Sequence, residues 1–98
     1  MIKHIVMWEF LDSAEGKSKS ENIQIIKEKL ESLPSKIPEI KFMEVGVNVN
    51  PKGFDAVLYS EFYSLEALEL YQSHPLHKEI SIYCSKVRKS RVVSDYHV

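Results

Sequence analysis

The sequence predicts an α+β fold, a β-α-β-β-α-β plait, on three observations. Apolar and β-branched residues alternate or cluster in four strand-length stretches, at about 2–10, 39–50, 54–63 and 87–98. Helical patterns follow the first and third of these, at about 19–33 and from 64 onward. No linker, repeat or low-complexity segment divides the 98 residues, so one domain spanning 1–98 is expected.

Residues 2–10, IKHIVMWEF, are rich in Ile, Val, Trp and Phe and read as the first strand. Ser18-Lys19-Ser20-Glu21 has the form in which serine caps the third helical amide and glutamate reaches back. Ile23, Ile26, Leu30 and Leu33 then recur at helical spacing. Pro34 and Pro38 bar continuation of that helix and enclose a loop. From Glu39 to Asn50 the chain alternates, with Met43, Val45, Val47 and Val49 on one face and Phe42, Glu44, Gly46 and Asn48 on the other. Asn50-Pro51-Lys52-Gly53 supplies turn residues before the strand Phe54 to Tyr63, which predicts a hairpin with a loop of four or five residues. Ser64 caps a helix with Leu65, Leu68 and Tyr71 on one side, and Pro75 suits the first turn of a further segment with Leu76, Ile80 and Tyr83 on a stripe. Val87 to Val98 alternates as the last strand. This order is that of the ferredoxin-like split βαβ plait.

The strands are apolar on both faces. The first carries Ile2, Val6, Trp8 and Phe10 on one side and Ile5 and Met7 on the other; the third opposes Ala56, Leu58 and Phe62 to Val57, Tyr59 and Tyr63. Helices can cover only one side of a four-stranded sheet, so the other calls for a second sheet, that of another copy. A homodimer closing toward an α/β barrel is expected. A chain of this size buries only about 60–65% of its unfolded surface, which also favours a partner subunit.

Composition narrows the function. Thirteen Lys and Arg against fourteen Asp and Glu give a net charge of −1, so no global field draws nucleic acid or anionic lipid. The opening MIKHIVMWEF is broken by Lys3, His4 and Glu9, too short to cross a bilayer and unlike a signal peptide, which predicts a cytoplasmic protein with no membrane partner. The single Cys84 has no disulfide or CxxC partner and reads as a small buried hydrophobe. Three glycines form no phosphate-cradling loop, so no cofactor is expected.

The densest chemistry is Tyr71-x-x-His74-Pro75-x-His77. A neutral histidine can take a proton from carbon beside a carbonyl, and a tyrosine can donate to the oxyanion that results. The six-residue separation brings the two rings together only if the chain turns sharply at His74-Pro75, and a residue preceding proline is steered out of the α region. Each residue also has a plainer reading. Tyr71 continues the stripe of Leu65 and Leu68 into the core; His74 sits where a helix cap belongs; His77 bonds a backbone carbonyl; His4, beside Val6 and Trp8, is a satisfied core histidine; His97 is solvated. His4, His74 and His77 as three metal ligands are a further arrangement, disfavoured by the proline and the lack of a carboxylate or cysteine spacing.

Lys3-His4-Ile5-Val6, Phe54-Asp55, the Tyr71 to His77 motif and Val92-Val93-Ser94-Asp95-Tyr96 together resemble the stress-responsive dimeric α/β-barrel (Dabb) family nearly end to end. The resemblance implies a ferredoxin-like subunit in a homodimeric barrel. Most members have no assigned reaction, plant members are associated with stress responses, and a few are polyketide cyclases that close a ring by aldol chemistry. Carried over, it implies His77 as catalytic base, Tyr71 as its partner and His4 in the pocket wall. Trp8 shares the face of His4 and would take up volume that an acyl chain needs. Arg91 and Val93 share a face that the resemblance places under the helices; an arginine there favours an anionic ligand, unless its head group snorkels to solvent.

Three functions follow: a homodimer without assigned chemistry that takes a small hydrophobic or anionic ligand; a cofactor-free lyase or cyclase; and a cofactor-free monooxygenase. A solvent-connected cavity of roughly 300 Å³ or more, into which the ring nitrogen of His77 points, would favour an enzyme, and a closed core with His77 bonded to backbone would not.

Overall fold

A computed structural model describes residues 1–98. Alternation builds its sheet. Along β1 (Ile2–Phe10), Ile2, His4, Val6, Trp8 and Phe10 turn inward and are buried, while Lys3, Ile5, Met7 and Glu9 turn outward. β4 (Ile40–Val47), β5 (Ala56–Phe62) and β6 (Arg88–His97) complete an antiparallel sheet in the order β4-β5-β1-β6. Three helices, α1 (Lys19–Glu31), α2 (Leu65–Ser73) and α3 (Pro75–Val87), lie to one side of it. This is the ferredoxin-like arrangement the element order predicted.

The caps are those the sequence specifies. Ser18 Oγ accepts the Glu21 amide at 3.2 Å and Glu21 accepts the Ser18 amide at 3.0 Å, a reciprocal pair of which the serine alone is worth about 1 kcal/mol. Ser64 Oγ accepts the Ala67 amide at 3.1 Å. Between α2 and α3 the chain turns at His74, whose extended backbone (φ −66°, ψ 136°) is what a following proline demands. His74 Nδ1 accepts the Leu76 amide at 3.1 Å, so its imidazole caps α3.

Several details depart from the expectation. α1 ends at Glu31, and Leu33–Ser35 forms a 3₁₀ turn, because Pro34 has no N–H to extend the helix. The connection from β4 to β5 runs from 48 to 55, longer than the loop expected: Asn48 and Asn50 side chains accept the amides of Asn50 and Lys52 and end the ladder early. Val47 is therefore half exposed and Val49, in the loop, is 98% exposed, although both share the parity of buried Met43 and Val45. Leu65 faces solvent, leaving Leu68 and Tyr71 as the buried stripe of α2. Val87 closes α3 instead of opening β6. A small hairpin unforeseen in the sequence, β2 (Ser13–Ala14) with β3 (Lys17–Ser18), turns through Glu15 and Gly16, both at positive φ.

The outward face of the sheet carries an apolar band beside a charged end at Lys3 and Glu61. Pairing aligns Met7 with Val57 on one side and Val92 on the other, and Phe42 meets Tyr59 edge-on at 6.0 Å. In the single chain Met7, Phe42, Val92 and Tyr96 are each about two-fifths exposed.

Candidate functional site

A cavity of about 260 Å³ lies between sheet and helices. β1 supplies His4, Val6 and Trp8, α1 supplies Ile26 and Leu30, α2 supplies Tyr71, α3 supplies His77, Ile80 and Cys84, and β6 supplies Arg88 and Arg91. All five residues singled out in the sequence, His4, Trp8, Tyr71, His77 and Arg91, thus line one space. Its volume is below the roughly 300 Å³ at which drug-sized sites begin. Trp8 accounts for part of that: its buried indole stands in the wall, edge-on to Phe10.

Tyr71 is only 1% exposed, and its hydroxyl has no hydrogen-bond partner. Such an orphan costs about 1–3 kcal/mol. Burial pushes the phenol well above its ordinary pKa, against a smaller pull downward from Arg91, so the oxygen keeps its proton near neutral pH. The ring stacks at a tilt on Phe62, 5.1 Å between centroids, and stands 4.5 Å from the ring of His77. The turn at His74-Pro75 makes this last contact: it reverses the helical path between positions 71 and 77.

His77 is half-buried. Its Nδ1 lies 3.0 Å from the Gln72 carbonyl oxygen, which can only accept, so Nδ1 carries the proton and neutral His77 presents a lone pair at Nε2. Burial lowers its pKa below the usual value; the Gln72 bond opposes this, and His4 and Arg91 reinforce it. Both halves of the sequence reading meet here, since His77 bonds backbone through one nitrogen and still lines the cavity.

His4 is buried, with its ring 6.4 Å from that of Tyr71. Asp95 stands opposite it in the β1 to β6 register, and Asp95 Oδ1 accepts from His4 Nδ1 at 2.5 Å. Asp95 fixes the imidazole and its tautomer, as a carboxylate behind a histidine does. The sequence did not single out Asp95 as a site residue, because only the register of two strands 91 positions apart brings it to His4.

On β6, Arg91 pairs with Trp8 and Val93 with Val6, so both face the helix side. They are nonetheless exposed, because the helices lie over β1, β4 and β5 and leave the edge strand largely beyond them. The cavity meets solvent at that edge. Cys84 is buried in the wall, and burial raises its thiol pKa. His74, spent on capping, is no ligand here, and no group of three His, Cys, Asp or Glu side chains gathers for a metal.

The model of the stress responsive A/B barrel domain, Dabb, matches residues 2–98. The chain belongs to this family. Three solved structures resemble it over nearly its whole length. A Bacteroides fragilis protein, described as dimeric, ferredoxin-like and of unknown function, is 35% identical, with a TM-score of 0.90 over 99% of this chain and 95% of its own. A Thermobifida fusca protein with a similar description is 20% identical, with a TM-score of 0.84 over 99% and 90%. The hydroxynitrile lyase of Passiflora edulis is 21% identical, with a TM-score of 0.83 over 99% and 92%. No curated protein matches the sequence.

In this Dabb chain the site therefore combines a neutral imidazole with a free lone pair, a protonated phenol without a partner and a second imidazole held by a carboxylate. Those groups can accept a proton, donate a hydrogen bond and orient a ligand, and they share a space suited to a small molecule. No helix is long and apolar enough to cross a membrane.

Proposed function

We propose that this Dabb chain works as a homodimer whose cavity carries out cofactor-free acid/base chemistry on a small carbonyl compound, the chemistry of a lyase or cyclase. The unpartnered Tyr71 hydroxyl beside His77 carries the reading. The hydroxyl has no partner within the protein, so its O–H is free to donate to a substrate oxygen.

Nε2 of His77 takes a proton from the carbon next to the carbonyl. The C–H electron pair becomes the C=C bond of an enolate, the carbonyl π pair moves to oxygen, and the Tyr71 O–H donates to that oxygen. Return of the proton to carbon completes exchange; attack of the enolate carbon on a second carbonyl completes an aldol closure. His4, held by Asp95, forms the wall beside Tyr71. The hydroxynitrile lyase with the same fold supports the reading only to the extent that this scaffold hosts a lyase.

The homodimer is supported by the apolar outward face of the sheet and by neighbours described as dimeric. Pairing two copies face to face would take the exposed two-fifths of Met7, Phe42, Val92 and Tyr96 out of water, worth roughly 0.6–1.2 kcal/mol for each side chain.

The chemistry is tested by deuterium incorporation next to the carbonyl of butanone and of 4-oxopentanoate in D₂O, followed by proton NMR. The wild type should accelerate exchange over buffer. Tyr71→Phe should slow it about a hundredfold, as loss of one oxyanion donor does. A wild type no faster than buffer, or a Tyr71→Phe enzyme as fast as wild type, contradicts the reading.

A further inference from the structure

Arg88 and Arg91 are three apart, which in a regular strand places them on opposite faces. Here they share one. Arg91 pairs with Trp8 and Ser90 with Glu9, but Phe10 pairs with Arg88, so Lys89 is an extra residue bulged out of the ladder. The bulge turns Arg88 to the side of Trp8 and Phe10, and both arginines line the cavity.

Neither arginine has a carboxylate within ion-pair reach: the ion pairs of the chain are formed by Lys3, His4, Lys19, Lys27, Lys41 and Lys86. No Asp or Glu lines the cavity. Asp95, behind the lining residue His4, is committed to that histidine. The cavity thus holds two unpaired positive charges at its solvent edge and an unpartnered hydroxyl donor, on Tyr71, in its buried wall. Arginines that merely snorkel need no shared face, and a bulge that aims both at one space is a local departure from regular pairing.

We propose that the cavity takes a small oxo acid, its carbonyl oxygen received by Tyr71 and its carboxylate held by Arg88 and Arg91 at the mouth. This rests on the acid/base reading for the role of the carbonyl and adds the class of substrate. A guanidinium pairs with a carboxylate through two parallel N–H donors, which fixes the orientation of the acid as well as its charge. The aliphatic wall of Val6, Ile26, Leu30 and Leu58 suits the carbon chain between the two ends. The volume of about 260 Å³ limits that chain to a small molecule.

The test compares binding of 4-oxopentanoate with that of the uncharged 4-oxopentanamide, read by amide chemical-shift changes in NMR titrations of the full chain. Wild type should bind the carboxylate about tenfold or more tightly than the amide, with shifts at cavity residues, and added salt should narrow the difference. Arg88→Gln and Arg91→Gln should each remove most of that preference, and an amide spectrum that otherwise matches the wild type separates loss of charge recognition from loss of fold. Equal affinity for the two ligands, no binding of either at millimolar concentration, or a preference that survives both substitutions overturns the proposal. If the preference holds but exchange proves independent of His77, the acid/base reading fails and the anion site stands. If exchange depends on His77 while the carboxylate gains nothing, only the anion site fails.

Discussion

Met7→Asp is expected to abolish the dimer. Met7 stands at the middle of the outward face of the sheet, between Val57 and Val92 in the strand pairing, and no cation shares its row. In a face-to-face pair related by twofold symmetry the substitution enters twice, so two carboxylates are buried without partners. An unpaired buried charge costs about 3–5 kcal/mol, enough for two of them to raise the dissociation constant by at least about a thousandfold. In the separate subunit position 7 is partly open to water, so the same carboxylate costs less there than in the pair. Sedimentation velocity at micromolar concentration should therefore find wild type at twice the chain mass and Met7→Asp at the single mass or unfolded. Glu66→Ala, at an exposed helix position, serves as the control that leaves the dimer intact. A Met7→Asp dimer as tight as wild type would place the contact elsewhere.

His77→Ala carries the second large effect. The imidazole lines the cavity, keeps a lone pair at Nε2 in its neutral form, and is held toward that form by burial. Removing a positioned base costs about 10²–10⁴ in rate. Exchange of the carbonyl probes should fall by about a thousandfold, with affinity for 4-oxopentanoate little changed, because the ring is not among the groups that hold the anion. The pH profile carries a sign. With its pKa lowered, His77 stays neutral to lower pH than an ordinary histidine, so wild-type kcat/KM should hold steady below neutrality and fall only as the imidazole protonates. A His77→Ala protein that keeps wild-type exchange rates would remove the residue from the chemistry.

What the sequence revealed and what it hid divide along sequence separation. The capping box at Ser18 and Glu21, the Ser64 cap and the break at His74-Pro75 are contacts within a few residues, so their patterns are complete in the local sequence. The meeting of Tyr71 with His77 was legible for the same reason: one local turn creates it. The two-sided apolar pattern of the strands was equally plain, since parity alone fixes which side chains share a face.

Long-range register was not legible. Asp95 reaches His4 because β6 pairs with β1 at that offset, and no local pattern reports it. Arg88 joins Arg91 because of the bulge at Lys89, which reverses the parity that spacing alone predicts. Val49 shows the opposite error, a residue in phase with a buried set but past the point where asparagine side chains end the ladder. Leu65 likewise fits the apolar stripe of α2 but lies in its first turn, where it faces solvent.

The proposed chemistry depends most on a neutral His77 whose unprotonated nitrogen must face the cavity beside the Tyr71 phenol. Nitrogen-15 NMR of the imidazole across pH reads this directly. The expected spectrum has the proton on Nδ1, a titration midpoint below the usual histidine value of about 6.5, and a change at Nε2 when 4-oxopentanoate is added. A proton on Nε2 in the neutral form, or a midpoint above that value with no response to the keto acid, would contradict it.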